Sequence, residues 1–253
     1  MSHDPFRVDG KVALVTASAT GIGAAVAVAL AAAGADVVCH NKDDSAPATV
    51  EQVERQGRRS FGIRADLADP GTHQKLVQEA IGRFGRVDIL VNNAGLLRRA
   101  PAMDHSEEGW DLLLAVNLSA VFRLSRLVGA HMVERGAGRI VNIASLQAFQ
   151  GGILAPPFSA SGGGIVQLSK ALANAWAARG VTVNAIAPGY IATDNTAALR
   201  ADTERNRQIL ERIPAGRWGE LSDIACATVF LCGEASRYVN WHVLFVDGGW
   251  IDR

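Results

Sequence analysis

A chain of 253 residues, 49% apolar and 20% charged, has the material for a sizeable core, which excludes a disordered protein. Its net charge of zero offers nothing to steer it toward nucleic acid or an anionic membrane, and Gly, Asp and Arg interrupt every apolar run before the roughly 20 residues that a spanning helix needs. Cys39, Cys226 and Cys232 are odd in number and widely spaced among apolar residues, and the six histidines are scattered, which predicts buried thiols in a reducing cytoplasm, no disulfide frame and no metal site.

The stretch from Met1 to Gly10 is polar, with Asp4, Pro5 and Arg7, and has no apolar leader segment. Lys11 to Thr16 (KVALVT) is a continuous apolar run, as expected of a strand covered on both faces. Ala24 to Ala33 reads as an Ala-rich helix closed by Gly34, and Asp36 to His40 (DVVCH) as the second strand. Thr49 to Gln56 is helical, Phe61 to Ala65 extended, Thr72 to Phe84 helical and Val87 to Val91 (VDILV) a strand. Trp110 to Glu134 is a long helix, Arg139 to Ala144 a strand and Phe158 to Ala178 a helix. Val181 to Ala187, a helix near Ser222 to Leu231 and a strand at Val243 to Val246 complete the series. This alternation predicts an α/β fold: about seven parallel strands, doubly wound, in three αβα layers, as one domain over residues 1–253.

The first strand runs into Thr16-Ala17-Ser18-Ala19-Thr20-Gly21-Ile22-Gly23 and then a helix. Gly21 and Gly23 let backbone approach a pyrophosphate, and the helix N-terminus supplies free N–H groups and partial positive charge. The segment resembles the T-G-x-x-x-G-x-G turn of the short-chain dehydrogenase/reductase family, with Ala17 in place of the first Gly. A Cβ at that place strains the loop wherever positive φ is needed, which implies weaker cofactor binding. The resemblance continues through Ala65-Asp66-Leu67, Asn92-Asn93-Ala94-Gly95, Pro188-Gly189 with Thr193, and Asp247-Gly248-Gly249, so that it spans Gly10 to Arg253.

The resemblance implies a Rossmann-type sheet and a nicotinamide dinucleotide. The implied cofactor residues are Thr16, Ser18, Gly21, Ile22, Gly23, Asn41, Lys42, Asp66, Leu67, Asn93, Ala94, Gly95, Pro188, Gly189 and Thr193. A carboxylate ending the second strand would hold a ribose 2′-hydroxyl and a basic residue a 2′-phosphate. Here His40-Asn41-Lys42 precedes Asp43, which leaves NAD and NADP both open.

In this family a Tyr transfers the proton, a Lys four residues on lowers its pKa and holds the ribose, a Ser polarises the substrate oxygen, and an Asn anchors a relay water. Asn117 matches the Asn and Ser145 the Ser, but Phe158 stands at the Tyr position and Gly162 at the Lys position. Tyr190 and Tyr238 are the only tyrosines and neither has Lys four residues later; Lys170, two turns beyond Gly162, projects elsewhere. The resemblance therefore implies a dehydrogenase with severely impaired hydride transfer, and weaker cofactor binding again through the loss of the Lys.

Phe149-Gln150-Gly151-Gly152, the Ala187 to Thr196 segment and Arg212 to Gly219 resemble the gluconate and 2-deoxy-gluconate dehydrogenases of the family. They imply a sugar-acid substrate, with Arg98 and Arg99 either meeting its carboxylate or simply solvated, and a homo-oligomer, dimer or tetramer, built on the Phe158 helix and the last strand. Trp241, Ala175 and Phe245 depart from that pattern. Two histories fit the departures: a redesigned variant, and a natural paralogue that lost catalysis and kept a dinucleotide-binding role. New chemistry in the vacated pocket would draw on Ser145, Ser159, His242 or Asp194.

Overall fold

The structure is a computed structural model that describes residues 4–253, so that Met1 to His3 of the polar N-terminal stretch lie outside the described residues. Seven strands form one parallel sheet: β1 (Val12–Val15), β2 (Asp36–Asn41), β3 (Ser60–Arg64), β4 (Ile89–Asn92), β5 (Gly138–Ile143), β6 (Val181–Pro188) and β7 (Val243–Val246). The helices are α1 (Gly21–Ala32), α2 (Pro47–Arg55), α3 (Thr72–Phe84), α4 (Glu107–Leu114), α5 (Ala120–Arg135), α6 (Gln147–Gln150), α7 (Pro156–Trp176), α8 (Ala197–Ala201), α9 (Thr203–Arg212) and α10 (Leu221–Cys232).

The strand order is β3-β2-β1-β4-β5-β6-β7. The chain starts in the middle of the sheet, winds outward to β3, then crosses back to lay β4 on the other side of β1. The reversal leaves a crevice at the carboxyl ends of β1 and β4, where a doubly wound sheet holds ligands.

The period of two along a strand divides the core. On β1, Ala13 and Val15 face the cluster that includes Val26, Leu30 and Ile224 of α1 and α10. Val12 and Leu14 face the other cluster, with Leu76, Leu124 and Ala173 of α3, α5 and α7. All four β1 residues are therefore buried, which is why the run reads as unbroken apolar sequence. A third cluster of Leu146, Ile209, Ile213 and Trp250 roofs the C-terminal end of the sheet.

The region read as one long helix is continuous from Glu107 to Arg135 but contains a π-helical segment at Ala115–Ser119. By length and composition this helix could cross a membrane, contrary to the expectation that no apolar run is long enough; half of its most apolar window is buried in the fold, against the sheet and neighbouring helices. Cys39 and Cys232 are buried as expected, but Cys226 is exposed on the outer face of α10, and all three thiols are free. Burial pushes the Cys232 thiol up to about 12.

Candidate functional site

At the end of β1 the chain turns through Ala17 with φ at +50°, the left-handed backbone that costs an alanine more than a glycine. Both ends of this residue are clamped. Its N–H donates to His40 Nδ1 (3.3 Å), and its carbonyl accepts from Asn93 Nδ2 (3.1 Å). His40 Nε2, the remaining protonated nitrogen, donates to the Ala65 carbonyl (3.0 Å), and burial lowers the pKa of this ring so that it stays neutral.

The hydroxyls of two residues expected at the cofactor, Thr16 and Ser18, brace this loop. Thr16 is buried, its Oγ1 accepting from the N–H groups of Asn93 and Ala94 (2.9 and 3.0 Å). Ser18 is fully buried, its Oγ accepting from the His40 N–H (3.0 Å). Gly23 is a close approach, where a Cβ would sit 2.2 Å from the Ala17 carbonyl oxygen. At Gly21, with φ at +57°, a Cβ would meet nothing within 4 Å, so the space in front of the turn is open. Thr20 makes no side-chain cap and the first turn of α1 carries no acid, which leaves its amides to an anion.

A cleft of 430 Å³ opens from this turn. Ala17, Gly21, Ile22, Asn41, Asn93, Ala94 and Gly95 line one part, and Pro188, Gly189 and Thr193 line another. Ser145, Asn117, Phe158 and Gly162 line it together, so the four positions of the expected catalytic set converge. Thr20, Leu97, Ile143, Ala144, Ser161, Ile165, Asp194 and Asn195 complete the lining. Apart from Asp194, which was named only as one unranked base, these were not singled out in the sequence. Leu97 lies two residues after the Asn92 to Gly95 turn, and Ser161 lies one residue before Gly162, which are the signals that could have found them.

Asn117 lies in the π-helical segment, whose extra residue turns its side chain toward the neighbouring loop. Its amide reads Leu96 twice, accepting from the backbone N–H (2.8 Å) and donating to the carbonyl (2.9 Å). Ser145 Oγ accepts from the Gln147 N–H (3.2 Å), and Ser161 Oγ donates to the Phe158 carbonyl (3.0 Å). Phe158 and Gly162 stand one turn apart on α7, and a Cβ at Gly162 would come within 3.2 Å of Ala148 Cβ.

Several expected residues lie outside the lining. Leu67 is buried in the core, and Lys42 pairs with Asp66 (3.1 Å). The Asp66 carboxyl is held below the usual range by the Ala68 N–H and by Lys42. Arg98 and Arg99 are exposed on the loop after Gly95 and are not part of the cleft lining. His242 borders a separate cavity with Trp241 and Lys170, and Lys170 Nζ sits 5.1 Å over the Trp241 ring. The Ser159 hydroxyl, also outside the lining, is buried without a partner.

The family description Enoyl-(Acyl carrier protein) reductase matches residues 16–251. The chain belongs to the short-chain dehydrogenase/reductase family. Within that family it is 49% identical over 251 residues to the 2-dehydro-3-deoxy-D-gluconate 5-dehydrogenase of Bacillus subtilis, covering 99% of this chain and 98% of the relative. It is 48% identical, with a TM-score of 0.94, to a protein of Agrobacterium tumefaciens described as a 2-deoxy-D-gluconate 3-dehydrogenase with bound NADP, covering 99% of this chain and 100% of that one. It is 45% identical, with a TM-score of 0.95, to one of Beutenbergia cavernae described as an NAD(P)-dependent gluconate 5-dehydrogenase with bound NADP, again covering 99% and 100%. This short-chain dehydrogenase/reductase thus has the sheet of its family and the lineage of its sugar-acid dehydrogenases.

Proposed function

We propose that the protein binds a nicotinamide dinucleotide in this cleft and that its proton relay is disabled. The observation that carries this is the meeting of Phe158 and Gly162 with Ser145 and Asn117 in one cavity, in which Asp194 is the only ionisable side chain. Phe neither gives nor takes a proton, and Gly supplies no charge. Loss of a positioned general acid costs about 10²- to 10⁴-fold, or roughly 3 to 5 kcal/mol of barrier.

The open turn at Gly21 and the uncapped amides of α1 suit a pyrophosphate. When bound, the nicotinamide would supply or accept hydride beside Ser145. NADP is the better fit. Asn41 lines the cleft where an acid would hold a 2′-hydroxyl, its amide donating to the Asp44 carboxylate (2.9 Å), and the neighbouring Lys42, paired with Asp66, supplies a cation beside it. The NADP found in the Agrobacterium and Beutenbergia proteins supports the same choice. The buried free thiols of Cys39 and Cys232 support a cytoplasmic setting, and the exposed Trp241 beside the half-buried edge strand β7 supports a homo-oligomer.

Calorimetric titration with NADPH and NADH tests the reading. Micromolar binding is expected, tighter for NADPH, with no turnover of gluconate or of neutral secondary alcohols. The double variant Phe158→Tyr, Gly162→Lys should then gain at least about 100-fold in reduced-nicotinamide formation on one of those alcohols. Silence of both cofactors at millimolar concentration would end the dinucleotide reading, and wild-type turnover at an ordinary dehydrogenase rate would end the disabled-relay reading.

A further inference from the structure

The part of the cleft between Ser145 and Phe158 is poor in groups that recognise an anion. Phe158, Leu97, Ile143 and Ile165 line it, and no Lys, Arg or His does. Two of the polar side chains there are already committed. The Asn117 amide is spent on the Leu96 backbone and the Ser161 hydroxyl on the Phe158 carbonyl. Ser145 Oγ accepts from the Gln147 N–H, so its own O–H remains to donate. The one ionised side chain of the lining, Asp194, is exposed at the edge and carries the same sign as a carboxylate ligand. An acid entering this space would lose hydration and gain no cation.

Exposed apolar side chains adjoin this part, on a loop that also carries the solvent-exposed Arg98 and Arg99. The Ala100 N–H donates to the Leu154 carbonyl (2.9 Å), which ties the loop of Leu97 to that of Ile153 and Leu154. Leu97 is 38% exposed at the cleft, and Leu154 is 46% and Ile153 80% exposed on the loop bonded to its own. Leu154 holds φ at +61°, a conformation that a branched residue adopts only under constraint, and such strain gathers at ligand sites.

We propose that this site takes a neutral molecule with an apolar aryl or alkyl body and one carbonyl or hydroxyl oxygen, in place of the sugar acids of the lineage. The Ser145 hydroxyl donates to that oxygen, the body lies against Phe158, Ile143 and Ile165, and Leu97 and Leu154 border its entry. The proposal rests on the cleft being the dinucleotide site with its substrate end open.

The test is equilibrium binding of acetophenone and of D-gluconate, followed by ligand-observed NMR on the whole protein with and without saturating NADPH. Acetophenone should bind at least tenfold more tightly than gluconate. Leu97→Asp and Leu154→Asp should each weaken acetophenone at least tenfold, while Leu97→Met retains it; melting curves confirm that each variant is folded. Gluconate binding as tightly as acetophenone would overturn the proposal. So would acetophenone that fails to bind at millimolar concentration, or that ignores both rim substitutions in folded protein. A parallel NADPH titration separates the two readings: its failure overturns the dinucleotide reading, whereas NADPH binding with no preference for acetophenone overturns only the ligand class.

Discussion

Ala17 holds φ at +50° because its N–H is fixed by His40 and its carbonyl by Asn93. A left-handed alanine costs about 1–2 kcal/mol, and glycine would give back about 0.4–1 kcal/mol through its freer unfolded chain. Ala17→Gly should therefore stabilise the fold by roughly 0.5 kcal/mol and tighten NADPH severalfold, read by urea denaturation and calorimetry; weakening of both would show that the loop is relaxed as it stands. His40 makes the same loop pH-sensitive. Its pKa is lowered by burial, with neighbouring His73 acting in the same direction and the Ala65 carbonyl and Asp66 opposing. A histidine held neutral in the native state binds fewer protons than it does unfolded, so stability is complete above the unfolded value of about 6.5 and declines as pH falls below it. The same protonation would remove the acceptor for the Ala17 N–H. Denaturation midpoints measured from neutral pH downward should fall more steeply for wild type than for His40→Gln, and parallel curves would remove His40 from the account.

Helix α5 and helix α7 meet where Gly129 lies against the Trp176 ring, a Cβ there coming to 2.6 Å of Cη2. Rigid aromatic packing cannot give that much, so Gly129→Ala should cost about 1–3 kcal/mol by overpacking, seen as a lower urea midpoint at unchanged slope; an unmoved midpoint would mean that Trp176 swings aside freely. At this scale the strands were the legible part. Parallel strands buried on both faces write themselves as apolar runs, and β7 and α3 have the bounds that their patterns predict. The segments α8 and α9 were not legible, because α9 is rich in Arg, Glu and Gln and its one buried residue, Ile209, finds its partners in Ile213 and the distant Trp250. The π-helical turn around Asn117 was hidden for a related reason: the partner of its side chain, Leu96, lies 21 residues earlier in the chain. Motif matching found the four converging positions but could not separate Gly21, which faces open space, from Thr16 and Ser18, whose hydroxyls hold the loop together. Trp241 shows the opposite case. Its φ of +51° accounts physically for a position where glycine would be the relaxed choice.

Across the whole molecule the cleft joins parts of the fold that are far apart in sequence. Its lining comes from the turn after β1, the ends of β2, β4, β5 and β6, and the face of α7. Chain reversal at β1 alone brings these ends together, so the site exists only in the assembled sheet. A ligand that binds there binds the native state and not the unfolded chain, and its binding free energy appears as stability. At a concentration of 100 times its Kd the gain is about 2.7 kcal/mol. With a shift of roughly 2–4 °C per kcal/mol for chains near this size, saturating NADPH should raise Tm by roughly 5–10 °C. Ala17 holds positive φ in the turn proposed to meet the pyrophosphate, so reaching that shift should take more NADPH in wild type than in Ala17→Gly. Differential scanning calorimetry across an NADPH series would display both effects. A Tm that does not move with millimolar NADPH or NADH, in a protein whose sheet is intact, would mean that the fold has been retained and its dinucleotide lost.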